Sequence, residues 1–227
     1  MRFYKTISLV CILYASVFSM EAIAQDAKTG KEDEANYTKV ITQRANKIVV
    51  TLNITDSSKF YQVQDIIVQQ YRNLRFVHDN SNALLSATKT AELPTKEAKD
   101  EAIKKVEDGC TAELDKFHSE YIGKLSALLS PEQIISVKDG MTYNILPITY
   151  KAYQEMLPNL TEEQKKQIYA WLVEAREHAI DAESSDKKHA WFGKYKGRIN
   201  NYLSAQGIDM KKAGDEWQER IKAKKNQ

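Results

Sequence analysis

The 227-residue chain reads as an all-α protein, a single helical-bundle domain of about seven to eight helices, long ones first and shorter ones after residue 130. Three observations predict this class. Apolar residues recur at three- and four-residue steps along most of the chain. Ser or Thr followed three residues later by Gln marks two helix starts. No stretch alternates as a strand does, and the one β-rich run, Ile48 to Ile54, continues a helical pattern.

The elements follow in order. Tyr37, Ile41, Ala45, Ile48 and Leu52 form one face of a first helix. Asn53 to Ser58 interrupts it, with Asp56 as the next N-cap. The second helix carries Val63, Ile67, Leu74 and Val77 and runs on toward Leu84 and Leu85, with a kink expected at Asp79–Asn82. Leu93-Pro94-Thr95 ends it and caps the third. There Ile103, Val106, Cys110, Leu114, Phe117, Tyr121, Leu125 and Leu128 give a long apolar stripe. Ser130-Pro131-Glu132-Gln133 is a capping box with Pro at the first helical position, and Gly140 offers a stop. Pro147 permits a new helix carrying Tyr150, Tyr153 and Met156. Thr161-Glu162-Glu163-Gln164 is a second capping box, followed by Ile168, Trp171, Leu172, Ala175 and Ala179 on one face. Ser184-Ser185-Asp186 breaks and caps again, a helix then runs to Gly207, and Asp209 caps the last one, with Trp217 and Ile221.

Residues 1–24 read as a signal peptide. Arg2 and Lys5 precede an apolar run from Ile7 to Met20, and Ala22-Ile23-Ala24 is a small-x-small cleavage site before Gln25. The run is too short and wrongly flanked for a stable membrane span. Cys11 lies too early in it for a lipid anchor. The expectation is a periplasmic or secreted protein, cleaved after Ala24, with a disordered lead-in over 25–34 and one helical domain over 35–227. The leader carries Arg2, Lys5 and Glu21, so the 33 basic and 31 acidic residues are nearly balanced after cleavage. That balance argues against a nucleic-acid partner, which calls for a basic excess. Cys110 then has no partner for a disulfide and no second thiol for zinc, and it reads as a small apolar helix residue.

The densest chemistry lies between Lys187 and Gly207, where Trp191, Phe192, Tyr195 and Tyr202 stand among Lys194, Lys196, Arg198, Asn200 and Asn201. Aromatic faces beside amide and guanidinium groups suit a sugar, which offers C–H faces and hydroxyls. Trp171, Tyr202 and Trp217 are expected in the core. Trp191 and Phe192 point about 100° apart on a helix, so one of them leans away from the core. Asn200 and Asn201 sit mid-helix, where Asn needs compensation from a buried hydrogen bond or a ligand. Gly193 and Gly197 lack the spacing of a phosphate loop and read as close-packing positions. Glu174, His178 and Asp181 share a helix face, and with His189 nearby they could share a proton or hold a metal. A solvated face explains them more simply, and no metal or cofactor is expected. The polar run from Lys138 to Asn144, with Met141, Thr142, Tyr143 and Asn144, is the other candidate wall.

The segments KDGMTYNILPITYKAYQEMLPNLTEEQKKQI and AWLVEAREHAIDAESSDKKHAWFGKYKGRINNYLSAQGIDMKKAGDEW resemble a family of secreted bacterial proteins of unknown function. A sugar-binding role is ascribed to that family, which belongs to polysaccharide-degrading bacteria with an outer membrane. The resemblance implies an exported helical protein with a carbohydrate-related role, and it implies no catalytic residue. Leu129 to Gln133 and Leu160 to Gln164 are also similar to the Leu-Thr-x-x-Gln motif of small periplasmic stress chaperones, with Ser130 in place of Thr in the first copy. The expected function is binding of a glycan or oligosaccharide through Met141, Thr142, Tyr143, Asn144, His189, Trp191, Lys194, Tyr195, Arg198 and Asn201. The alternatives are a carbohydrate-active enzyme using His178, Asp181 or His189, and a periplasmic chaperone or scaffold.

Overall fold

A computed structural model describes residues 33–225. The signal peptide and most of the lead-in expected ahead of residue 35 lie outside the described residues. Within them the chain forms eight α-helices and no strand. They are α1 (33–50), α2 (Ser57–Thr90), α3 (Lys96–Ser126), α4 (Pro131–Met141), α5 (Ile145–Met156), α6 (Glu162–Ile180), α7 (Ser185–Ala205) and α8 (Met210–Lys225). None of them is long and apolar enough to cross a membrane.

The caps act where the sequence places them. Asp56, Thr95 and Ser184 each accept from the backbone N–H three residues on. Both capping boxes are complete, so the two Leu-led strings do their work as helix starts. Helix C-termini are closed differently, by long side chains from distant elements. Gln133 Nε2 donates to Leu52 O beyond the end of α1, at 2.9 Å. Arg220 on α8 donates to Glu155 O and Met156 O at the end of α5. These bonds satisfy carbonyls that have no partner within their own helix.

Two cores result. The first gathers Ala45, Ile48, Val49, Val63, Ile67, Leu74, Tyr121, Leu125, Val137 and Met141 from α1 to α4, and α6 contributes Ile180 to it. The second gathers Leu146, Tyr153, Ile168, Leu172, Phe192, Ile199 and Leu203 from α5 to α7. The stripes expected on α1 and α2 are buried as far as Val77, with Tyr37 partly covered. On α3 only Tyr121 and Leu125 of the eight stripe residues are buried. Toward the hairpin tip α3 leans on α2, and Cys110 there is only half-buried.

Helix α2 runs unbroken through Asp79–Asn82 for 34 residues, about 50 Å at 1.5 Å each. Its polar run faces the α6–α7 turn. His78 Nε2 donates to Asp181 O (2.8 Å), and Asn82 Nδ2 donates to Glu183 Oε1 (2.7 Å). Gly140 does not stop α4 but lies inside it, where a Cβ would stand 2.8 Å from Ile48 Cγ1. Gly193 and Gly197 are the reverse case, for a Cβ on either would meet nothing within 4 Å. The close approach of backbone to side chain is therefore α4 against α1, not α7 against a neighbour.

Candidate functional site

A cleft of about 620 Å³ opens beside the first core, between α1, α2, the α4–α5 turn and the start of α7. One wall is the face of α1 that carries Tyr37, Ile41, Arg44, Lys47 and Ile48. Tyr71, Leu74, Arg75, His78 and Asp79 of α2 continue it. The opposite wall is the α4–α5 turn, with Met141, Tyr143 and Asn144, and the α6–α7 turn with the start of α7, through Glu183, Ser184, Ser185 and Lys188.

The α4–α5 turn is held in an unusual shape. Tyr143 and Asn144 both adopt left-handed backbone, at φ 59° and 55°. Asn tolerates this region, but for Tyr it costs roughly 1–2 kcal/mol. Buried Thr142 anchors the turn by donating to Lys138 O at 2.8 Å, and Asn144 N donates to Asp139 O at 2.7 Å. The outcome is a tyrosine ring 42% exposed at the rim, lying 5.4 Å from the His189 ring. Asn144 heads α5 but makes no side-chain cap, so its amide is left to the cleft.

Lys188 closes the floor. It is 5% exposed and donates to Met141 O (3.3 Å) and Ile180 O (2.9 Å), the last carbonyls of α4 and α6. Burial pushes its ammonium down to about 8; the Asp181 carboxylate opposes the shift and Arg44 adds to it. Burial also pushes the Tyr71 phenol up to about 12 and raises Tyr37, whose hydroxyl donates to Tyr71 O at 2.9 Å. Both phenols therefore stay protonated at neutral pH. The Arg75 guanidinium sits 4.3 Å over the Tyr37 ring and pairs with Glu34 and Asp79.

Partly buried ion pairs hold the floor from behind. Arg176, 5% exposed, donates to Asp139 Oδ1 (2.9 Å) and to Glu177 Oε1 (3.1 Å). Burial would raise the Glu177 carboxyl, but Lys138 and Arg176 hold it below its ordinary value. His118 on α3 reaches Asp181 Oδ2 at 2.6 Å, so α2 and α3 both grip the α6–α7 turn.

The ten candidate residues fall in two places. Met141, Tyr143 and Asn144 line the cleft, Thr142 is buried behind it, and His189 stands at its rim. Trp191, Lys194, Tyr195, Arg198 and Asn201 do not line it. Trp191 stacks on His178 at 4.4 Å, with the Lys194 ammonium 5.0 Å from its ring, so its faces are already engaged. Tyr195 is buried in the second core. Arg198 lies 4.7 Å over Trp171, which meets Tyr202 edge-on, and pairs with Glu174. Asn200 accepts from Tyr153 Oη at 2.7 Å, which compensates it structurally, while Asn201 stands exposed. His178, Asp181 and His189 each engage a different neighbour: Trp191, His118 and Ser185 O. Among the described residues no group of three or more His, Cys, Asp or Glu could hold a metal.

The α1 and α2 walls and Lys188 were not singled out in the sequence. One signal for Lys188 is there. Lys188, Phe192, Tyr195, Ile199 and Leu203 step by four, three, four and four, so a lysine stands on the apolar stripe of α7.

No curated protein matches the chain. The family model described as a protein of unknown function, DUF3826, matches residues 38–223, a span that holds all eight helices in whole or part and the residues of both cleft walls apart from Tyr37. The chain belongs to that family of proteins of unknown function.

Proposed function

We propose that this is an exported protein that binds a glycan or oligosaccharide in the cleft between α1, α2, the α4–α5 turn and the start of α7. The observation that carries the reading is the Tyr143–Asn144 turn. Its left-handed backbone is costly, and it presents an open ring and an uncommitted amide to the cleft. Strain of this kind persists where surrounding structure holds it, and it collects at binding sites. The size supports a small ligand, since such sites run to roughly 300–1,000 Å³. Tyr143 would stack on the C–H face of a sugar, while the Asn144 amide offers a donor and an acceptor to its hydroxyls and Thr51, which donates to Ile48 O, offers its oxygen as an acceptor.

Isothermal titration against plant and host glycans tests the reading. At least one oligosaccharide should bind, and Tyr143→Ala should weaken it about tenfold, as expected from roughly 1.4 kcal/mol of lost stacking. Trp191→Ala should leave the affinity unchanged. Absence of heat with every glycan, or full binding in Tyr143→Ala, would remove the cleft as the site.

A further inference from the structure

We propose that the saccharide taken by the cleft is acidic, carrying carboxylate or sulfate groups. The proposal rests on the carbohydrate reading above and narrows it. The chain as a whole is nearly balanced in charge, yet the cleft is not. Arg44, Lys47, Arg75 and Lys188 line it, against Asp79 and Glu183. Arg75 is matched by Asp79 and Glu34, and Glu183 accepts from the Asn82 amide and keeps its charge, so the lining stays positive in balance. The ion pairs between α1 and α2 use Arg72 and Arg75, leaving Arg44 and Lys47 without an acidic partner among the described residues.

Those two cations stand three residues apart, so they share one face of α1. Lys188 faces them from the floor. It has three N–H donors, and two go to Met141 O and Ile180 O. The third belongs to a side chain more than nine-tenths buried that lines the cleft. The N-terminus of the 21-residue α7, with Ser184 and Ser185, borders the same space and adds the positive end of a helix dipole. Asp186, in the first turn of α7, is exposed and lies outside the lining. An oxyanion in the cleft would accept from Lys188 and from the guanidinium fork of Arg44, with Lys47 as a second charge. A neutral sugar would leave those donors to water.

The test is calorimetric, on the protein itself, with four probes: trigalacturonate, its full methyl ester, a sulfated galactan oligosaccharide and inorganic sulfate. An acidic saccharide should bind at least about tenfold tighter than the methyl ester, since a charge-assisted hydrogen bond is worth that much. The affinity should fall with added salt. Arg44→Ala and Lys47→Ala are exposed changes that should preserve the circular dichroism spectrum, and each should remove most of the preference. Binding of the sulfated probe over trigalacturonate keeps the proposal and identifies sulfate as the group. Equal binding of trigalacturonate and its methyl ester, with no gain for the sulfated probe, overturns it and leaves the carbohydrate reading standing. Heat from inorganic sulfate with none from any saccharide overturns both.

Discussion

Replacing Gly140 by Ala tests how closely α4 packs on α1 beside the cleft. The added Cβ would meet Ile48 Cγ1 at 2.8 Å, Cγ2 at 3.2 Å and Cβ at 3.5 Å. Ile48 is 6% exposed and fixed in the first core, so it has little room to give way. Overpacking of this kind costs about 1–3 kcal/mol. Against it stands the helix preference for Ala over Gly, at most about 1 kcal/mol and less near a helix end. The net is a loss of about 1 kcal/mol, or roughly 2–4 °C in Tm for a domain of this size. Gly193→Ala isolates the helix-propensity term, because its methyl meets nothing within 4 Å and only the helix gain remains, so its Tm should rise. A third comparison places Gly140→Ala in an Ile48→Ala background, where the clashing atoms are gone and the penalty should vanish. Chemical and thermal unfolding followed by far-ultraviolet circular dichroism reads all three. If Gly140→Ala stabilises as much as Gly193→Ala, the close approach of α4 to Ile48 is wrong.

The other predictions concern the buried charges. The Asp181 carboxylate raises the His118 pKa through their hydrogen bond, with Glu177 adding, while burial and Lys138 oppose it. A raised value means that the stabilisation is fully present below the ordinary histidine pKa of about 6.5 and is lost as pH rises through the folded one. Unfolding free energy should therefore fall from pH 6 toward alkaline pH, and His118→Gln should flatten that part of the profile. Arg176→Ala strands the largely covered Asp139 carboxylate and removes one of the two cations at Glu177, and should cost about 3 kcal/mol in denaturant unfolding, the low end for a buried pair. A loss under 1 kcal/mol would show that water reaches the pair.

Much of the fold was legible because its signals are local. Asp56, Thr95, Ser130, Thr161 and Ser184 cap helices through atoms within three residues, so the chain announces these starts without tertiary help. The polar run of α2 is opaque for the opposite reason: what His78 and Asn82 do shows only when the turn they grip, a hundred residues away, comes into place. The site divides in the same way. Tyr143 and Asn144 form a loop visible in sequence, and they line the cleft. The aromatic cluster from Trp191 to Tyr202 is equally visible, but its rings are spent on the contact between α6 and α7. Arg44 and Lys47 resemble any solvated helix charges, and only assembly places them opposite Lys188.

The Lys188 contact has a consequence for how the molecule responds to a guest. One ammonium fastens the tails of α4 and α6 to the body of α7, at the line where the halves of the protein abut. The Arg176–Asp139 and Lys138–Glu177 pairs tie α4 to α6 beside it, and Lys188 adds the start of α7 to that joint. A guest drawing on its remaining proton would pull on the rivet that keeps those halves in alignment, so recognition and rigidity are governed by the same nitrogen.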